Sequence, residues 1–397
     1  MRVLFTLLPA TGSLHPLVPL ASALRAAGHA VRFACAASFQ PLVRRHGFDS
    51  TPAGIDFTFA EPDYFAKLVA EAGIPPPDLG QLTGHQRHAW VTNNLFIAAA
   101  ARRMLPDVLE LAESWRPDVI VRESSEFSGC VAAEALGILH ASVAAAADAA
   151  LDLRELSADA LGPLRAAAGL SADPGGAMLY RHLHLSFMPA SFFGESARFP
   201  ATTRFLRHVD APRPGVPFPD WWRGRPDRPA VLVSLGTIFF RTPGLYESII
   251  EGLGTEPVTL AVGIGDDRAS TGQPQPRPNV YVEPYLPLPE LLGQCALFVT
   301  HGGFNSVKEA VSAGTPMLVV PIASDQHYSA DRAEALGIGR VVRSHERTPT
   351  RIREQALAVL ADPGYRERSA ALAAEMTRLP GPDRGVELLE RLASGPG

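Results

Sequence analysis

The sequence predicts an α/β protein of two doubly wound, Rossmann-like domains. Three observations carry this. Short apolar runs alternate with helix-length runs through both halves, the pattern of parallel strands joined by helical crossovers. The length of 397 residues suits two domains of ordinary size, each with its own core. A proline-rich break falls near the middle, and no internal sequence repeat is evident.

Taken in order, Val3–Leu8 predicts a first buried strand, too short and polar for the apolar core of a signal peptide. Pro9–Leu14 is a loop and Pro16–Ala27 a helix, with Pro16 suited to the first turn and Gly28 to the stop. Val31–Ala34 is the second strand, and Phe39–His46 a helix ended by Gly47. Asp118–Val121 is a later strand, followed by the Ala-rich helix Gly129–Leu136. Two stretches, Asp56–Arg103 and Ala144–Phe193, are less regular. The first carries Phe57, Phe59, Tyr64, Phe65, Trp90 and Phe96, with His85, His88, Asn93 and Asn94 among them. These aromatics are either plain core or the lining of a pocket for an apolar acceptor. Arg198–Pro229 breaks the pattern, and Ala211–Pro219 before Trp221 and Trp222 reads as a stiff linker. The second domain opens at Ala230 with strand Val231–Ser234, and the last helix is Pro382–Ala393. The expected division is therefore 1–210, a linker 211–229, 230–381, and a terminal helix within 382–397.

Composition narrows the function. Hydrophobic residues are 46% and charged residues 19%, which excludes a disordered chain. A net charge of -5 argues against nucleic acid or an anionic membrane as partner. No run approaches the roughly 20 apolar residues of a membrane span. The nearest, Leu139–Leu153, is interrupted by Asp148 and Asp152. Cys35, Cys130 and Cys295 are scattered in apolar context without metal-ligand spacing. They read as buried thiols of a reducing cytoplasm, and no metal site is implied.

The most informative stretch runs from Val299 to Asp331. Ala296–Thr300 is a short strand, Gly302 and Gly303 form a turn, and Phe304–Ala313 is a helix closed by Gly314. Met317–Val320 is the next strand, ending at Pro321. A glycine turn opening a helix lets backbone N–H groups approach an anion that the helix dipole also favours. Such a turn suits a diphosphate, with His301 and the Ser306 hydroxyl as further donors. Glu309 lies one turn down the helix. Asp325 and Gln326 follow the second strand, where a polyol can be gripped.

In sequence order, His301-Gly302-Gly303, Asn305-Ser306, Glu309-Ala310, Ala313-Gly314, Pro316, Pro321 and Asp325-Gln326 resemble a known signature. It is the donor-binding signature of nucleotide-sugar glycosyltransferases related to UDP-glucuronosyltransferases, including the antibiotic and macrolide glycosyltransferases of bacteria. The resemblance implies the GT-B fold, two Rossmann-like domains facing each other across a cleft that holds the site. It makes 1–210 the acceptor domain and 230–381 the nucleotide-sugar domain, with the last helix crossing back to the first. The implied reaction is inverting transfer of a hexose from a UDP- or dTDP-sugar to a hydroxyl of an apolar natural product. The nucleotide-sugar is a co-substrate, and no separate cofactor or metal is implied. The expected state is a cytoplasmic monomer or homodimer.

The resemblance also assigns residues. His301, Gly302, Gly303, Asn305 and Ser306, with Ser234 and Thr237 of a second glycine turn, would hold the diphosphate. Tyr285 and Leu286 would pack on the base, though Tyr285 also reads as a core aromatic. Glu309 would bind the ribose or be a solvated helix carboxylate. Asp325 and Gln326 would contact sugar hydroxyls. The family commonly continues that pair with Pro and Asn, where this chain has His327 and Ser329.

The acceptor base is where the chain departs. Many relatives carry Gly-His-x-x-Pro in the first loop, and that histidine is the base. Here the stretch is Gly12-Ser13-Leu14-His15-Pro16, with Ser13 at the base position. A lone serine is too weak a base. Pro16 favours an extended His15, and an extended Leu14 would put Ser13 and His15 on one side, where His15, with an ordinary pKa of about 6.5, would reach the usual base position and act as the base. If a helix has already begun at Ser13, the two face apart. The base would then come from Glu123, Asp148, His85, His88 or a water held by Ser13. Glu123 is the nearest match to the family's supporting carboxylate and otherwise an exposed loop residue. Two alternatives stay open: a GT-B-shaped nucleotide-sugar epimerase or hydrolase, and a non-catalytic donor- or aglycone-binding relative.

Overall fold

The computed structural model describes residues 1–78, 81–147, 153–195, 197–211, 213–225, 227–238, 240–265 and 277–395. The chain divides into two compact units. The first comprises Met1–Phe187, Glu195–Pro212 and Pro380–Gly397, and the second Met188–Gly194 and Arg213–Leu379.

Each unit is built on one parallel sheet. In the first, β1 (Arg2–Thr6), β2 (Ala30–Cys35), β3 (Asp49–Pro52), β4 (Val119–Glu123), β5 (Leu139–Val143), β6 (Leu183–Ser186) and β7 (Thr203–Phe205) lie in the order β3-β2-β1-β4-β5-β6-β7. Val3 and Phe5 join one core, Leu4 the core on the other face, as strand periodicity requires of a sheet covered on both sides. In the second unit, β8 (Ala230–Ser234), β9 (Thr259–Gly263), β10 (Val280–Glu283), β11 (Leu297–Thr300), β12 (Met317–Val319) and β13 (Gly339–Val341) lie in the order β10-β9-β8-β11-β12-β13. Both orders reverse direction once, between β1 and β4 and between β8 and β11. Ligands of doubly wound sheets bind outside the carboxyl ends of the strands at that reversal.

Differences from the sequence reading concern irregular regions. The stretch from Asp56 to Arg103 is largely helical: Tyr64–Ala72, Gly84–Trp90, then an 11-residue π-helix, Val91–Ala101, running into Arg102–Trp115. Phe57 and Phe59 are buried, so these two are core. The second irregular stretch contains the helix Leu153–Ala167 and the strand β6. Trp222, read as linker, is 1% exposed and donates to Gln294 Oε1 at 2.9 Å within the second unit. Beside it, Trp221 stacks on Tyr281 with ring centroids 4.0 Å apart.

The last helix, Pro382–Ala393, packs within the first unit. A Cβ at Gly385 would lie 2.8 Å from Leu20 Cδ1 and 3.2 Å from Leu206 Cδ1, so glycine allows the close approach. His29 Nε2 meets Glu390 Oε1 at 2.8 Å on the same helix. The three cysteines are buried, and burial pushes Cys35 and Cys295 up to about 12 and Cys130 to about 11, so all are thiols. No helix among the described residues is long and apolar enough to cross a membrane.

Candidate donor and acceptor sites

The second unit's candidate site forms where β8 and β11 run side by side. Ser234 is in register with Thr300, which sets the turn after one strand beside the turn after the other. Gly236 takes φ 76 and Gly302 φ 86, conformations that side chains rarely adopt. The ring of His301 lies between the turns. A Cβ at Gly236 would fall 2.7 Å from His301 Nε2, and one at Gly303 2.5 Å from the same atom. One glycine from each turn, Gly236 and Gly303, therefore leaves the room that the imidazole occupies. His301 is 7% exposed, and burial pushes it down to about 4 against a hydrogen bond to the Ser234 backbone. The ring is neutral at pH 7, and its buried Nδ1 has no hydrogen-bond partner among the described residues.

The helix Phe304–Ala313 follows, with Gly303 as its N-cap and no side chain capping it. Anions bind at helix N-termini of this kind. Gly314 in the left-handed conformation (φ 63) ends the helix. Ser306 and Asn305 are half-buried on the first turn, and Asn305 Oδ1 accepts from Lys308 Nζ at 2.8 Å. Ser234 Oγ lies 3.4 Å from the Gly236 amide, and Thr237 is half-buried on the same turn.

Glu309 is buried, not solvated, at 6% exposure. Arg213 Nη2 stands 2.6 Å from its Oε1 and 2.7 Å from its Oε2. Tyr285 is 45% exposed, so it is not core, while Leu286 is 4% exposed, with its Cδ1 3.6 Å from where a Cβ at Gly263 would lie. Asp325 begins the helix Gln326–Ala335. The residue before it, Ser324, holds φ 57, a strained conformation that sequence reasoning missed and that clusters at functional loops. Gln326 is 2% exposed, and its Oε1 accepts from the Ile322 amide at 2.7 Å and the Ala323 amide at 2.9 Å. Its oxygen shapes the loop.

In the first unit the extended geometry at His15 is overturned. Thr11–Leu14 is a helical turn, and His15 continues it at φ -56, ψ -39. Ala10 O accepts from Ser13 and Leu14, Thr11 O from His15, and Leu14 O from Leu17, at 2.9–3.1 Å. Four hydrogen bonds outweigh the preference imposed by Pro16. Ser13 and His15 therefore do not share a face. The His15 ring packs edge-on against His46 at 5.8 Å, and Ser13 is 9% exposed.

Glu123 is not an exposed loop residue. It is fully buried at the end of β4, where its Oε2 accepts from the Ser125 amide at 2.8 Å. Glu126, which the motif reading passed over, is buried and accepts from Thr6 Oγ1 and Ser128 Oγ at 2.5 Å and from the Gly129 amide at 3.0 Å. It ties β1 to the next helix. Asp148 lies outside the described residues.

The same unit holds a concavity of about 240 Å³, lined by His88, Thr92, Phe96, Ser125, Phe127, Ala146 and Leu153. Thr92 and Phe96 come from the π-helix, a rare element frequent at functional sites. His88 Nε2 is buried without a hydrogen-bond partner among the described residues. Burial, with His85 nearby, pushes His88 down to about 4. Among the described residues no group of three or more His, Cys, Asp or Glu is placed to hold a metal ion.

Comparison with known proteins fits this geometry. The N-terminal and C-terminal domain models described as erythromycin biosynthesis protein CIII-like match residues 22–236 and 262–392. Aklavinone 7-beta-L-rhodosaminyltransferase of Streptomyces galilaeus is 30% identical over 99% of this chain and 96% of its own length. The TDP-daunosamine transferase DnrS of Streptomyces peucetius is 29% identical over 99% of this chain and 97% of its own. The structure of the spinosyn forosaminyltransferase SpnP, 27% identical, superposes with a TM-score of 0.78 over 99% of both chains. The fold is GT-B, and the chain belongs to the erythromycin biosynthesis protein CIII-like family of glycosyltransferases.

Proposed function

We propose that this glycosyltransferase moves a hexose-derived sugar from a dTDP-linked donor to a hydroxyl of an apolar, polyketide-type natural product, with inversion. The observation that carries the reading is the pair of glycine turns at the β8/β11 reversal, opening onto an uncapped helix N-terminus. The relatives' names supply the donor and acceptor class: one is a TDP-daunosamine transferase, another acts on aklavinone.

Backbone amides from Gly303 to Ser306 hold the diphosphate, with Thr237 and Ser234 on the facing turn. The helix dipole and these donors stabilise the charge that grows on the leaving diphosphate. His301 is neutral and hydrogen-bonded toward Ser234, so it acts chiefly by fixing the two turns against each other. Tyr285 stacks on the base above Leu286, and Glu309 takes a hydroxyl of the pentose. Asp325 and the Gln326 amide hold hydroxyls of the sugar.

The acceptor oxygen bonds to the anomeric carbon as the bond to the diphosphate oxygen breaks. The electron pair leaves with the nucleotide, and one such displacement inverts the centre. The acceptor proton passes to a base, and we place that role on His88. It is neutral, it lines the concavity, and its Nε2 awaits a donor. His88→Ala is expected to lower kcat by about 10²–10⁴ with dTDP affinity unchanged. It should also remove an acid limb of the kcat/KM profile lying near pH 4, where His88 protonates. Full activity of His88→Ala from pH 5 to 9 would return the role to Glu123 or a Ser13-held water.

The function itself is tested with labelled dTDP- and UDP-hexoses, each with and without a panel of polyketide aglycones. A new glycoside formed only with acceptor supports the proposal. Free sugar, an epimer or binding without turnover contradicts it.

A further inference from the structure

The contact between Arg213 and Glu309 has no counterpart in the motif reading. The two residues are 96 positions apart, and their side chains are 17% and 8% exposed. One nitrogen, Nη2, lies 2.6 Å and 2.7 Å from the two carboxylate oxygens. It sits between them and occupies the inner lone pairs through which a carboxylate chelates two donors.

A ribose presents a vicinal 2′,3′-diol, which is such a chelating pair. With Arg213 in place, each Glu309 oxygen keeps only an outward lone pair, and those two point apart. They suit a single hydroxyl and not two neighbouring ones. The Nε–H of Arg213 is buried and without a hydrogen-bond partner among the described residues.

We propose that Arg213 sets the pentose specificity of the donor site: by holding the inner edge of Glu309, it selects 2′-deoxyribonucleotides over ribonucleotides. This rests on the reading that Glu309 meets the pentose. A 2′-hydroxyl entering the site would lose its water without gaining a matched acceptor. One such hydroxyl is worth on the order of tenfold to a hundredfold in affinity.

The test is calorimetric binding of dUDP and UDP, which differ only at the 2′-hydroxyl, with dTDP alongside. The wild-type protein is expected to bind dUDP on the order of tenfold to a hundredfold more tightly than UDP. Arg213→Met, which keeps the apolar stem, should bring the two within about threefold. If that variant fails to fold because Glu309 is left charged and alone, Arg213→Met with Glu309→Gln removes both charges and should show the same collapse of the ratio. Equal wild-type affinities, or a ratio that survives the loss of Arg213, overturn the proposal alone. Failure of all three nucleotides to bind, or binding indifferent to Glu309→Gln, removes the pentose role of Glu309 and this proposal with it.

Discussion

His301→Ala is expected to cut turnover by about 10²–10³ while leaving the unfolding midpoint close to wild type. The ring is the wedge between two glycine turns, since a Cβ at Gly236 or Gly303 would strike it. Without it, the Gly236–Thr237 turn and the Gly303–Ser306 amides lose their mutual spacing. A displacement of about 1 Å at a reacting group is enough for a hundredfold loss. Stability should change little, because a neutral buried ring with an unpartnered Nδ1 contributes few hydrogen bonds to be lost. The loss should fall on kcat more than on KM, because the developing charge of the leaving diphosphate depends most on that spacing. Wild-type kcat in a folded His301→Ala protein would dismiss the positioning role.

The second large effect is acid lability. His184 is 4% exposed, its Nδ1 lies 2.8 Å from Ser142 Oγ, and burial with Arg122 nearby pushes it down to about 3. His301, in the other unit, is pushed down to about 4. His140 is lowered by burial, which Glu134 at 3.8 Å only partly offsets. Each takes up a proton near pH 6.5 when unfolded and resists it when folded. The unfolded chain therefore binds more protons below pH 6.5, and stability falls as pH drops. Stability is full above about pH 7, and His184 and His301 each cost about 2 kcal/mol by pH 5. Urea midpoints measured from pH 8 to pH 4 should be flat above pH 7 and then decline. His184→Phe should flatten the decline, and a wild-type curve level down to pH 5 would refute the assignment.

The strands and helix around Phe304–Ala313 were legible from sequence because their determinants are local. Gly303 and Gly314 bracket the helix Phe304–Ala313, and both ends fall where the glycines put them. The strands beside it are short apolar runs with turn residues at each end. The last helix, Pro382–Ala393, was equally plain from its leading proline and its periodicity.

What escaped detection depends on tertiary contact. The π-helix Val91–Ala101 has a longer period than an α-helix, so its apolar residues fit no helical stripe and looked irregular. The proline at 16 argued for an extended His15, but the hydrogen bonds of the Thr11–Leu14 turn decided otherwise. The burial of Glu123 and Glu309 could not be read from sequence, where each carboxylate follows a cation, Arg122 and Lys308, and looks solvated. Arg213 stood in a stretch that composition marked as linker, and only the fold sets it on Glu309.

The most direct test of the donor-site account is a crystal structure of the protein with dTDP. The account predicts the diphosphate within hydrogen-bond distance, about 2.7–3.2 Å, of amides between Gly303 and Ser306. It also predicts the thymine against Tyr285 and the 3′-hydroxyl on Glu309 with Arg213 still in place. A nucleotide whose diphosphate lies away from those amides would contradict it.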